Sequence, residues 1–250
     1  MNRTLSTRIL NVLLYILTLY VNYLSVVYQL GGKSIRELSD KYANLFTPSN
    51  QTFGIWSLIY LLLAVFLVLQ FFKRFDSQVT RNYLFIASCL FNFSWIIAWQ
   101  LEYLWLSLGI MLWLLAALTA INIQLDREVG EFFKIVFGVY LGWICIATIA
   151  NVTAVLVSLG WAGSIAAQVN WAIALLVIGA LLTSGAMLRL RNPYLAIAVV
   201  WAFYGVSVKR ELDFPQIALV AQSAMVVVGT VAAWAVFQNL RRQFRLRREA

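Results

Sequence analysis

The stretch from Tyr103 to Leu125, YLWLSLGIMLWLLAALTAINIQL, runs for 23 residues without a charged side chain. As an α-helix it rises about 35 Å, enough to cross a hydrocarbon core of about 30 Å. Working outward, the same pattern recurs in both directions. Apolar runs of spanning length lie at Arg8–Gln29, Thr52–Phe72, Asn82–Gln100, Phe133–Val157, Asn170–Leu188, Pro193–Val208 and Pro215–Phe237. The seventh of the eight is the shortest. Its start is marked by Asn192-Pro193, and that of the eighth by Asp213-Phe214-Pro215, both helix-opening sequences. The predicted fold class is therefore an all-α integral membrane protein with about eight transmembrane helices.

Composition agrees. Of 250 residues, 62% are hydrophobic and 12% charged, with mean hydropathy +0.82, whereas soluble chains are near a quarter charged. The net charge of +9 does not point to nucleic acid. The bases sit at the ends of apolar runs and in the tail Arg241, Arg242, Arg245, Arg247 and Arg248. That distribution reads as contact with membrane lipids and anionic headgroups, so no nucleic-acid partner is expected. The chain has no histidine, which removes imidazole bases, histidine zinc ligands and histidine-ligated haem iron. Cys89 and Cys145 lie within apolar runs and read as small packing residues.

Lysine and arginine counts set the expected orientation. The N-terminus, the even-numbered loops and the C-terminus hold 14 of them, and the odd-numbered loops hold 5. Both termini are expected in the cytoplasm, with the chain in the plasma (inner) membrane. The first apolar run is too long for a signal-peptide core and no small-x-small cleavage site follows it, so it reads as an uncleaved helix. Loop one, Gly31 to Gln51, is the long connection. Its Ile35, Leu38, Tyr42 and Leu45 recur at helical spacing, which predicts a short amphipathic helix on the outer surface. It serves either as a lid or as a passive connector.

Every Asp and Glu falls outside the centres of the apolar runs. Ion-coupled carriers and carboxylate enzymes keep such a group at depth, so both readings lose support and no catalytic residue is assigned. What lies at depth is neutral and aromatic. Trp56 and Tyr60 are four apart in the second span; Asn92, Trp95 and Trp99 share a face of the third; Tyr140, Trp143, Ala147 and Asn151 share a face of the fifth. With the inferred orientation, three faces converge on one aromatic, amide-bearing pocket beneath loop one. Its predicted ligand contacts are Trp56, Tyr60, Asn92, Trp95, Tyr140, Trp143 and Asn151. Against that stand ordinary roles: Trp99, Trp105, Trp161 and Trp171 as interfacial anchors, Asn11, Asn22 and Asn122 as helix–helix contacts, and Gly138-x-x-x-Gly142 as a point of close helix approach.

At these residues the chain resembles the TspO/MBR family, the tryptophan-rich sensory or translocator proteins. The carrying motifs are Phe53-Gly54-Ile55-Trp56-Ser57-Leu58-Ile59-Tyr60, then Asn92-Phe93-Ser94-Trp95, then Tyr140-Leu141-Gly142-Trp143 followed by Ala147-Thr148 and Asn151. The resemblance covers roughly residues 8–159. It implies a five-helix bundle whose pocket, closed by loop one, binds tetrapyrroles or other apolar planar ligands, often in a homodimer. The family's Trp-x-Pro-Pro loop is reduced here to Thr47-Pro48, and Val139 replaces the proline before the fifth-span tyrosine.

The expected organisation is thus a ligand-binding bundle over 8–159, a three-helix membrane extension over 160–240 and a basic cytoplasmic tail over 241–250. The expected function is non-enzymatic: binding of a hydrophobic planar ligand, porphyrin-like or lipid-like, in a sensory or translocator role. No cofactor or metal is expected beyond a possible tetrapyrrole ligand. The alternatives are a facilitative permease for a neutral small molecule, in which the last three spans complete the path, and a membrane scaffold.

Overall fold

The computed structural model describes residues 3–33, 35–126, 131–161 and 163–249. Arg127 and Glu128 lie outside the described residues, as do the side chains of Arg3, Ile35, Arg245, Arg247, Arg248 and Glu249. Ten α-helices follow one another: α1 (Arg3–Tyr28), α2 (Ile35–Lys41), α3 (Ile55–Leu69), α4 (Gln78–Arg81), α5 (Leu84–Gln100), α6 (Leu104–Asp126), α7 (Glu131–Ser158), α8 (Ile165–Leu190), α9 (Leu195–Arg210) and α10 (Pro215–Glu249). A 3-10 segment, Asn50–Gly54, leads into α3. No strand occurs among the described residues.

Eight of these helices coincide with the expected spans. Six, counting the 3-10 entry with α3, are long and apolar enough to cross a membrane. The other two are shorter: α5 has 17 residues and α9 has 16, or about 25 Å each. For α9 the shortness has a counterpart in packing. Leu195, Ala198, Val199, Ala202, Phe203 and Val206 are all buried, because α7, α8 and α10 surround it.

Small side chains allow that enclosure. A Cβ at Gly142 would run into the Leu195 backbone, and one at Gly138 would lie 2.7 Å from the Asn192 side chain. The glycine pair expected to permit close helix approach thus seats the start of α9 against α7. Amides lock the same junction. Asn192 Nδ2 donates to Asn122 Oδ1 (2.7 Å) and to Lys134 O (2.8 Å), and Asn122 Nδ2 donates to Phe137 O (3.1 Å). One buried hydrophobic cluster continues from α3, α5, α6 and α7 into α8, α9 and α10. Asn11, read as a helix contact, donates from Nδ2 to Gln70 Oε1 at 3.0 Å between α1 and the end of α3.

Two boundaries depart from expectation. The third span is preceded by α4, opened by a capping box between Ser77 and Thr80. The eighth helix does not stop at Phe237 but runs to Glu249, so the basic tail continues a helix, as its Arg-, Gln- and Leu-rich composition favours. In loop one, α2 forms at the expected place, with Leu38 completely buried beneath it. Glu37, Asp40 and Lys41 on the same helix are exposed, so α2 has the one buried and one exposed face of an amphipathic surface helix.

Candidate functional site

Helical spacing on α3, α5 and α7 brings all seven expected residues into one assembly. At its centre is Trp56, two residues into α3. Its indole stacks on Tyr60 one turn deeper (centroids 5.5 Å, planes 22° apart) and on Trp95 of α5 (6.1 Å, 27°). It meets Tyr140 and Trp143 of α7 edge-on at 6.1 and 6.2 Å. Phe53, from the 3-10 entry, closes on Trp143 at 5.9 Å. Stacked and edge-to-face pairs are the arrangements that ring quadrupoles favour.

Two amides organise the polar edges of these rings. Buried Asn92 donates from Nδ2 to Tyr140 Oη at 2.8 Å, and its Oδ1 accepts from Tyr60 Oη (3.4 Å) and Asn22 Nδ2 (3.3 Å). Buried Asn151 accepts at Oδ1 from Ser107 Oγ (2.9 Å) and Trp95 Nε1 (3.4 Å), while its Nδ2 donates to Ala147 O (3.1 Å). One donor is left over: the Trp143 Nε1–H is buried and has no hydrogen-bond partner among the described residues. The rings pack directly against one another, so the expected pocket takes the form of a close-packed cluster with Trp56 in the middle. No carboxylate or base enters it, and no group of three His, Cys, Asp or Glu among the described residues is placed to hold a metal ion. Such an assembly can stack on a flat apolar molecule and donate or accept single hydrogen bonds.

Loop one is strapped across this end of the bundle from two sides. At its start, Lys33 Nζ donates to Glu102 Oε1 (2.5 Å), while Lys41 and Tyr42 Oη (2.6 Å) donate to Glu102 Oε2, in the turn between α5 and α6. Those bonds, from Lys33 first and then Lys41 and Tyr42, hold the Glu102 carboxyl down at about 2. Burial and the same carboxylate push the Tyr42 phenol up to about 12. At its other end the loop is held by α9. Arg210 donates to Leu45 O (3.0 Å) and Asn44 O (2.9 Å), Trp201 Nε1 donates to Thr52 O (2.9 Å), and Ser49 N donates to Gly205 O (3.0 Å). A side chain at Gly205 would collide with Thr52 and Pro48.

A family profile described as TSPO-like protein matches residues 8–236 of this helical membrane chain. The chain belongs to that family. It is accordingly a multi-pass membrane protein of the TspO kind. The TSPO-like match extends well past residue 159, where the motif resemblance ends, and takes in α8, α9 and most of α10. Comparison with curated proteins and with solved structures found no significant match.

The structure adds residues that the sequence reading left out of the site. Asn22, read as a helix contact, donates into it at Asn92; Ser107 supports Asn151, and Phe53 covers Trp143. Trp201 and Arg210 of α9 hold the loop above it. One signal for the last group was present. Lys33, Lys41, Lys209 and Arg210 are four of the five bases on the sparsely charged side, and each bonds to loop one or to its Glu102 anchor.

Proposed function

We propose that this TSPO-like protein binds a hydrophobic planar ligand, tetrapyrrole-like or lipid-like, at the Trp56 cluster, in a sensory or translocator role without catalysis. The observation that carries this reading is the setting of the Trp56 ring. A flat indole sits stacked on Tyr60 and Trp95 and edge-on to Tyr140 and Trp143. A flat ligand that displaced it would inherit the same contacts and find the spare Trp143 N–H. Trp56 is also the ring best placed to leave. Like Tyr60 and Trp95 it is half-buried, whereas Tyr140 and Trp143 are buried in mid-helix, and it alone lies two residues after the 3-10 segment that ends at Gly54. In this reading residues 8–159 form the ligand-binding bundle, and the last three spans brace it through α9. Both termini face the cytoplasm, supported by the charge asymmetry. A homodimer is the expected assembly.

Titration of the purified protein with a tetrapyrrole tests the proposal. Saturable tryptophan quenching is expected, weakened by Trp143→Phe and by Asn92→Ala. Quenching that never saturates, or that neither variant alters, rejects the site.

A further inference from the structure

Where loop one meets the seam between α7 and α8, the structure holds a cavity of about 150 Å³. Its walls are Leu45 and Phe46 of loop one, Leu156 and Val157 at the end of α7, and Trp161 and Trp171, whose rings meet edge to face at 4.9 Å. None of the seven residues of the aromatic site lines it.

The lining is mostly carbon, and its polar side chains differ in availability. The Thr153 hydroxyl donates to Ile149 O (2.9 Å). The Asn44 amide is engaged on both atoms, with Tyr42 O and with the backbone N–H groups of Phe46 and Thr47. The half-buried Gln168 amide also lines the cavity and makes no side-chain hydrogen bond among the described residues. The site therefore offers two indole rings, of which Trp171 has a buried N–H with no hydrogen-bond partner among the described residues, an aliphatic wall and the unengaged Gln168 amide.

Size and depth restrict what fits. Pockets for larger ligands run to about 300–1,000 Å³, while a dry apolar cavity near 150 Å³ accepts a molecule the size of benzene. A tetrapyrrole is too large. Leu156 and Val157 lie within two residues of the end of α7 at Ser158, and Trp161 is in the following turn. The cavity is thus level with the membrane interface, not with the midplane where acyl chains end. Molecules with an apolar ring and one polar tip collect at that level.

We propose that this cavity is a second binding site, for a single-ring aromatic amphiphile bearing one hydroxyl group, a phenol-class molecule. Its ring packs against Trp161 and Trp171, and its hydroxyl bonds to the Gln168 amide. The site does not depend on the planar-ligand reading. It bears on loop one, because its walls include Leu45, whose carbonyl Arg210 holds, so that a bound ring braces the loop from beneath.

The test uses full-length protein in lipid nanodiscs, with 4-fluorophenol as probe and fluorine NMR as readout. Binding is expected to saturate above the signal from protein-free nanodiscs. Gln168→Leu, which removes the amide, should weaken binding about tenfold, the equivalent of one hydrogen bond, and Ala167→Leu, which fills the cavity from an exposed first turn of α8, should weaken it at least as much. Trp143→Phe, in the aromatic site, should leave it unchanged. A signal no greater than in protein-free discs, one indifferent to both α8 variants, or one abolished by Trp143→Phe overturns the proposal.

Discussion

The same three helices, α3, α5 and α7, carry two aromatic clusters of opposite character. Toward one end Phe66, Phe85, Phe133 and Phe137 interlock, with Phe66 5.1, 4.9 and 5.0 Å from the other three rings. All four are almost wholly buried and none has a polar atom in its side chain. Ten residues before Phe66 on α3, or about 15 Å away, sits Trp56 in its nest of Trp, Tyr and Asn. Both clusters hold the helices together by ring contact. Only the second has polar ring edges tied to amides, a spare donor and a half-buried central ring. Pure hydrocarbon fixes the frame at the first cluster, and the second is where the proposed ligand site would distinguish recognition from packing.

The largest test of this contrast is Phe66→Ala. It should cost about 3–5 kcal/mol through the cavity left behind, lowering thermal stability in detergent while the folded fraction keeps its tetrapyrrole affinity. A small stability loss would mean that the phenylalanine end is not the anchor. Asn92→Ala should cost less, about 1–3 kcal/mol, because it strands the Tyr140 hydroxyl and leaves the Asn22 amide with its bond to Thr18 O alone. Its loss of ligand quenching should nevertheless exceed that of Phe66→Ala, and the reverse order would erase the distinction between the clusters. Gly205→Val should cost about 1–2 kcal/mol of overpacking and expose loop one to proteolysis, while the phenylalanine end stays protected.

The smallest effect is on pH. Glu102 is held below its unfolded value of about 4.3, so its ion cluster contributes fully above that pH. The contribution fades as the pH falls from there toward 2. Hydrogen exchange in loop one, corrected for intrinsic rates, should rise over that window in the wild type. In Glu102→Gln it should be high throughout.

Much of the fold could be read from the chain because lipid imposes a simple rule on composition. The spans, Cys89 as a buried packing residue and the Gly138/Gly142 approach all follow from it. The seven site residues were placed together by helical periodicity alone, since each helix presents its set on one face. Periodicity says nothing about the space between faces. That the Trp56 ring fills it depends on side-chain directions set by three helices at once. The strap was hidden for a similar reason, because the contacts between Arg210 and Asn44 or Leu45 join residues more than 160 positions apart. The continuation of α10 was missed because hydropathy ends with the membrane, whereas helix propensity does not.

The double fastening of loop one also bears on kinetics. A segment pinned at Glu102 and again at α9 bows less readily than one free at either end, so entry of the proposed ligand from the aqueous side would be slowed. For that ligand, arrival between helices from the bilayer would then be the faster route. Occupancy on that route follows the ligand's concentration in lipid, so compounds of equal contact energy would be ranked by their partition coefficients.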